Sequence, residues 1–377
     1  VVRTAYGIFW GVPQGFVLLN SASTPPPFYL RSEFVSGSTN PELRFGEFPG
    51  VSADNFVPRI PSFFTHDPRN FTNGYTQQWN LGIDRQLTRD TAVTIAYVGN
   101  KATHLERRQQ GNAALPPGPG AIQARRRFPA VGGITYQESS SYSTYHSLQM
   151  SAERKLSKGL LFLAGYTWSK SLDDTSTWSG LGGQESQFAQ DPSRLFLEKG
   201  RSGFDLRHRF TLSYVYELPF RFSSKPLSLA LGGWQQAGIV TFQTGFPLTV
   251  TMPGDLPNAG TGNVRANLNG PGNLDPSERN IDRWFNTAAF SPPAQFTFGT
   301  AGRNIIDGPG VRGYTGSLMK MFRFTERHRL QFRAEFSNAF NHPNFGLPNA
   351  SFGSAAFGTI RSGGGGREAQ LGLKYLF

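Results

Sequence analysis

Six histidines are the first residues to test for chemistry: His66, His104, His146, His208, His328 and His342. None stands at metal-ligand spacing with another histidine or with a carboxylate pair. Cysteine is absent, so there is no thiolate nucleophile, cysteine metal site or disulfide. Asp173-Asp174 could hold a cation, but adjacent loop acids are usually just solvated. The run from Asp255 to Asn280 is rich in Asn, Gly and Pro, yet it lacks the alternating acids of a calcium loop. Gly363-Gly-Gly-Gly366 has no Lys-Ser/Thr after it, so it reads as a flexible tip and not a phosphate loop. No Gly-x-Ser-x-Gly elbow is present. Trp178 and Trp284-Phe285 could stack on a sugar or peptide; the plainer reading is that these rings pack loops together. The expectation is no catalytic residue, no cofactor and no metal.

The elements that carry these residues alternate with period two, the signature of strands with one apolar face. Thr76 to Leu87 sets Trp79, Leu81, Ile83 and Leu87 against Gln78, Asn80, Asp84 and Gln86. After Thr88-Arg-Asp90 comes Thr91 to Gly99. Tyr142 to Leu156 and Leu160 to Lys170 flank the turn Ser157-Lys-Gly159. Phe204 to Leu218 is the clearest strand. Phe204, Leu206, Phe210, Leu212, Tyr214, Tyr216 and Leu218 form one face, which His208 interrupts near its start. Arg207, Arg209 and Glu217 lie on the other. A turn near Pro219 to Pro226 leads to a strand region from Ser228 to about Val250. Tyr314 to Phe324 and His328 to Phe340 follow, the second carrying Arg329, Arg333 and Glu335 on its polar face.

Val1 to Phe9 opens the chain and Arg367 to Phe377 closes it. At the end, Leu371, Leu373, Tyr375 and Phe377 fall at every second position, and the final aromatic is the last residue. That makes ten strands. Four joins are short turns. Five are long loops, near 10–75, 100–141, 171–203, 251–313 and 341–366. Strict alternation of short and long joins is the habit of transmembrane antiparallel β-barrels, with tight periplasmic turns and long extracellular loops. Counting back from Phe377 in the periplasm, every short turn falls on the periplasmic side. Tyr97, Tyr166, Trp168, Tyr214, Tyr216 and Tyr375 would then form aromatic girdles.

Composition agrees. Aromatics make up 14% of 377 residues, and 44 Gly and 26 Pro suit strands joined by long loops. No run of 18 apolar residues exists, which excludes a membrane-spanning helix but not a barrel. The net charge of +12 is dispersed. Its one tight cluster, Arg125-Arg126-Arg127, has no aromatic platform beside it, so a nucleic-acid partner is not expected.

Several segments resemble the carboxy-terminal barrel of TonB-dependent receptors, and more narrowly the Oar-like group. They are Gly74-Tyr-Thr-Gln-Gln-Trp-Asn-Leu-Gly82, Ala96-Tyr-Val-Gly-Asn100, Tyr166-Thr-Trp-Ser-Lys-Ser-Leu-Asp173, Phe204-Asp-Leu-Arg-His-Arg-Phe210, Trp284-Phe-Asn-Thr-Ala-Ala-Phe290 and Arg333-Ala-Glu-Phe-Ser-Asn-Ala-Phe-Asn-His-Pro-Asn344. The last seven residues, Leu371 to Phe377, resemble the signal read by the barrel-assembly machinery. The resemblance implies a 22-stranded barrel with an amino-terminal plug, driven by the TonB complex to admit an extracellular ligand. No plug, TonB box or preceding sandwich domain is visible here. The ten strands therefore read as the carboxy-terminal part of a larger barrel, with outer-membrane lipid around it and TonB acting through the missing region. Arg207, Arg209, Glu217, Arg329, Arg333 and Glu335 would face the lumen.

Two other readings stay open. One is a complete ten-stranded barrel, with Val1–Phe9 paired to Arg367–Phe377, acting as porin, adhesin or protease. A protease would need His104, Asp173 and Asp205 brought together at the rim, which their spacing does not suggest. The other is a soluble β-protein that binds polysaccharide.

Overall fold

The computed structural model describes residues 1–12, 62–67, 69, 71–177, 186 and 188–377. Trp178 and most of the first long loop lie outside them. Ten strands follow one another in chain order, each hydrogen-bonded antiparallel to the next. They are β1 (Val2–Trp10), β2 (Tyr75–Gln86), β3 (Thr91–Gln110), β4 (Ile134–Ser157) and β5 (Leu160–Asp173), then β6 (His208–Glu217), β7 (Trp234–Gln243), β8 (Val311–Arg323), β9 (Arg329–Ser337) and β10 (Glu368–Leu376). All ten expected strands are present. Among the described residues, no helix is long and apolar enough to cross a membrane.

Register keeps the faces separate, because residues opposite one another across a ladder share a face. Leu81 faces Tyr97, Tyr97 faces Leu148, and Leu148 faces Trp168. Phe332 faces Leu373 and Ala334 faces Leu371. This apolar face is open to the surroundings: Leu81 is 51% exposed and Leu371 and Leu373 are 70% exposed. A water-soluble sheet would cover such rows. On the opposite face one polar-leaning row runs Glu217, Gln235, Met319, Arg333, Gly372 across five strands.

The turns at one end are tight. Lys158 and Gly159 join β4 to β5 with φ of 51° and 78°. Positive φ at both central residues is the hairpin turn whose twist matches that of strands, and glycine takes it without strain. The β6–β7 join is longer and contains a helix, Lys225–Leu231, where the sequence suggested strand from Ser228. Pro226 near the helix start fixes φ and removes a ladder donor, which favours the helical turn.

At the other end three elements depart from the alternation. Strands β3 and β4 continue to Gln110 and back to Ile134, where the sequence suggested a loop over 100–141. A register shift between Ala102 and Leu105, with His104 at φ 57°, resets the alternation there. Beyond it the strands bury polar side chains, Arg107, Gln109 and Gln137, so no apolar period betrays them. Phe63–His66 adds a parallel strand to Ile134–Gln137. Conversely, β6 starts at His208, not Phe204. The Asp205 carboxylate accepts the Ser171 amide at 2.6 Å and the Asp205 amide bonds Ser202 O at 2.9 Å, which bends 202–207 into a turn. The Gly363–Gly366 stretch is held in place: Gly363 bridges Phe345, and the Gly364 amide donates to Asn344 O.

Among the described residues, strands β1 and β10 are the edges of the sheet, and they do not pair with each other. The self-closure that a complete ten-stranded barrel requires is not formed.

Candidate functional site

The long connections fold against one another at one end of the sheet. Their apolar part is a core of Leu248, Val250, Ala266, Phe285, Phe290 and Ile306, with Trp284 and Phe357 packed on it. Phe285 is fully buried and meets Phe290 and Phe357 edge-on at 5.9 and 5.1 Å. Trp284 Nε1 donates to Asp307 O at 2.8 Å. These rings pack loops together and are not free to stack on a ligand.

The polar part is a set of buried ion pairs that ties separate connections to the strand ends. Asp173 and Asp174 are 1% and 6% exposed, not solvated as adjacent acids usually are. Arg107, from the β3 extension, reaches Asp174 at 2.5 Å. Asp174 also accepts the Ser141 hydroxyl and the Tyr142 amide. Arg303 bonds Asp173 at 2.9 Å and the Glu198 carbonyl at 2.6 Å. Arg265 pairs with Glu198 at 2.6 Å, and Gln190 bridges them by donating its amide to Glu198 and accepting from the Arg265 amide. Burying one member alone would be costly, so each pair is stable only as a unit.

Nearby, burial pushes the Asp191 carboxyl up. Hydrogen bonds from the Ser193 hydroxyl, Arg194 and the Ser193 amide outweigh that and hold it below its ordinary value. The cavity among Arg107, Asp174, Glu198 and Arg303 is about 20 Å³, room for roughly one water. It is a structural junction, too small for a nutrient-sized ligand.

Other sequence candidates also serve structure. Arg125 donates to Ala114 O and Asn258 O, and Arg126 to Asn112 O and Gly132 O, so two arginines of the basic cluster staple the loop. Asp255 accepts the amides of Ala259 and Gly260, closing a turn. No cluster of three or more metal-ligating side chains occurs among the described residues. His146, His208 and His328 each bond a tyrosine hydroxyl across a strand pair: Tyr97 at 2.7 Å, Tyr166 at 2.8 Å and Tyr375 at 2.7 Å. Each histidine sits two residues along from its tyrosine's opposite number. His208, the apparent break in an apolar face, is therefore a satisfied partner on that face.

The register puts Arg209, Glu217, Arg329, Arg333 and Glu335 on one face of the sheet. Arg207 precedes β6, and its carbonyl accepts the Ser169 amide. On that same face, Ser213, Val215, Ile239, Ser317, Glu335 and Gln370 border an open concavity of about 640 Å³. Leu371, Leu373 and Tyr375 lie on the exposed apolar face of β10, and Phe377, 92% exposed, stacks on Tyr375 at 5.9 Å.

An antiparallel meander with an exposed apolar face, an opposite face that carries most of the strand charges, and its longest joins at one end has the architecture of an outer-membrane β-barrel. The chain belongs to the family described as outer membrane beta barrel domain, which matches residues 1–370. It is a protein of the bacterial outer membrane, and the soluble reading is set aside. No curated protein matches it in sequence. Among solved structures it is similar to the outer membrane transporter YddB from Escherichia coli. The TM-score is 0.52 at 10% identity, over 100% of this chain and 38% of that one. It also matches the ferric-catecholate import receptor Fiu from E. coli K12, with TM-score 0.43, 11% identity, and coverage of 100% and 32%. The likeness to YddB is one of fold, and the chain spans well under half of its length.

Proposed function

We propose that this chain is the carboxy-terminal part of the barrel of a TonB-dependent receptor, of the Oar-like group, that takes up a ligand across the outer membrane. The observation that carries this reading is the pair of unpaired edges, β1 and β10, on a sheet whose apolar face is exposed. Lipid does not tolerate open edges, so further strands must complete the sheet. The fold likeness to part of a transporter supports it. In this reading the long connections are extracellular and the tight turns periplasmic. The face of Arg209, Glu217, Arg329, Arg333 and Glu335 lines the lumen, and Arg207 sits at its rim. These charges and the concavity beside Glu335 would touch a plug or line the ligand's path, and the protein acts as a carrier rather than an enzyme.

The mass of the protein extracted from outer membranes tests this. A species much heavier than 41.5 kDa, with heat-modifiable mobility, is expected. A folded species of 41.5 kDa would contradict it and favour a small closed barrel.

A further inference from the structure

The β6–β7 connection differs from the other tight turns. Residues 219–231 are all exposed, and they include Phe220, Phe222, Leu227, Leu229 and Leu231. Its charges are Arg221 and Lys225, with no acid between Leu218 and Gly233. Such a cluster of large apolar side chains is costly in water unless something covers it.

The helix Lys225–Leu231 is fastened from one side. Lys320 Nζ donates to Ala230 O at 3.1 Å and Gly232 O at 2.6 Å, and Trp234 Nε1 donates to Ala230 O at 3.1 Å. A lysine and an indole thereby satisfy carbonyls that the helix end leaves open. Both belong to the apolar face, since Trp234 lies opposite Lys320, and Lys320 opposite Phe332. The ammonium also sits over the Trp234 and Phe322 rings, 5.3 and 5.0 Å from their centres. The helix is therefore drawn toward the lipid side of the sheet and not toward the lumen side.

We infer that Pro219–Gly233 is a membrane foot, which lies on the anionic phospholipid headgroups of the periplasmic leaflet. This rests on the orientation given under Proposed function. Leu229, with Phe220 and Phe222, enters the acyl boundary, and Arg221 and Lys225 meet headgroup phosphates, as in interfacial segments. It is fastened to Lys320 and Trp234 of the apolar face and so adjoins the lipid-facing side of the sheet, which commits the occupant to lipid.

The absence of native cysteine makes the test clean. Leu229→Cys and, as a reference on the apolar face of β2, Leu81→Cys would carry an environment-sensitive fluorophore. The labelled protein would be reconstituted into phosphatidylcholine vesicles with or without phosphatidylglycerol, containing shallow brominated lipid. The Leu229 probe should be quenched by the lipid and shielded from iodide. Quenching should be about twofold stronger with phosphatidylglycerol, and Arg221→Gln with Lys225→Gln should remove that gain. An iodide-accessible Leu229 probe beside a lipid-quenched Leu81 probe would overturn the foot and leave the barrel standing. Quenching indifferent to phosphatidylglycerol would overturn the anionic recognition. A Leu81 probe in water would defeat the barrel reading itself.

Discussion

Arg303 and Asp173, 130 residues apart in the chain, form a 2.9 Å ion pair in which both side chains are buried. One sits at the end of β5 and the other in the long connection between β7 and β8. The pair links a strand end to a loop that would otherwise be free to drift. Arg303→Ala strands a buried carboxylate, at a cost of about 3–5 kcal/mol to the loop assembly. The variant should keep its sheet but lose protection of the loops against protease added to the outside of cells. Asp173→Asn should cost less, because the amide can still accept from Arg303. Equal protection in wild type and Arg303→Ala would refute the tie.

Phe285 anchors the apolar core of the same assembly. Phe285→Ala should cost about 3–5 kcal/mol. The loss should again appear as loop proteolysis, with heat-modifiable mobility of the barrel unchanged. Loss of the barrel along with the loops would show that the two do not fold as separable layers.

Asp191 gives the loops a pH response. Its carboxyl is held below its ordinary value of 3.8, so it adds stability that is complete above that value and lost as pH falls through the lower, folded value. Asp191→Asn should thus destabilise the loops at neutral pH and narrow the difference between variant and wild type below about pH 4. Protection measured by hydrogen exchange across that range checks the sign. A gap that widens on acidification would be contrary.

The last strand carries a separate expectation. Leu371, Leu373, Tyr375 and Phe377 are exposed, and we propose that they act as the carboxy-terminal signal for the barrel-assembly machinery. Deletion of Phe377 should slow insertion severalfold and raise periplasmic degradation, read by pulse-chase and fractionation. Unchanged insertion would remove that role.

What the sequence made legible follows from which side chains meet lipid. Strands such as His208–Glu217 alternate because, past His208, one face is apolar to the end, and that alternation is legible in the sequence. Alternation fails where the burial partner is protein. The β3 and β4 extensions bury Arg107, Gln109 and Gln137, and their pairing looks polar and irregular in sequence. Asp173 and Asp174 look like a solvated pair because their arginines lie 130 and 67 residues away. The tyrosine–histidine pairs needed the cross-strand register, which spacing along one strand does not give. In the helix Lys225–Leu231, Leu227, Leu229 and Leu231 do alternate, yet the local pull of Pro226 and the capping by Lys320 win.

The central claim, that this sheet is part of a larger barrel, is tested most directly by the distance between its edges. Spin labels at Ala5→Cys in β1 and Gly372→Cys in β10, on the same face of the sheet, would be measured by double electron–electron resonance in native outer membranes. A 22-stranded barrel with strands about 4.8 Å apart places them roughly 40 Å from each other. A distance below about 20 Å, as adjacent strands require, would mean that the ten strands close on themselves and would contradict the account.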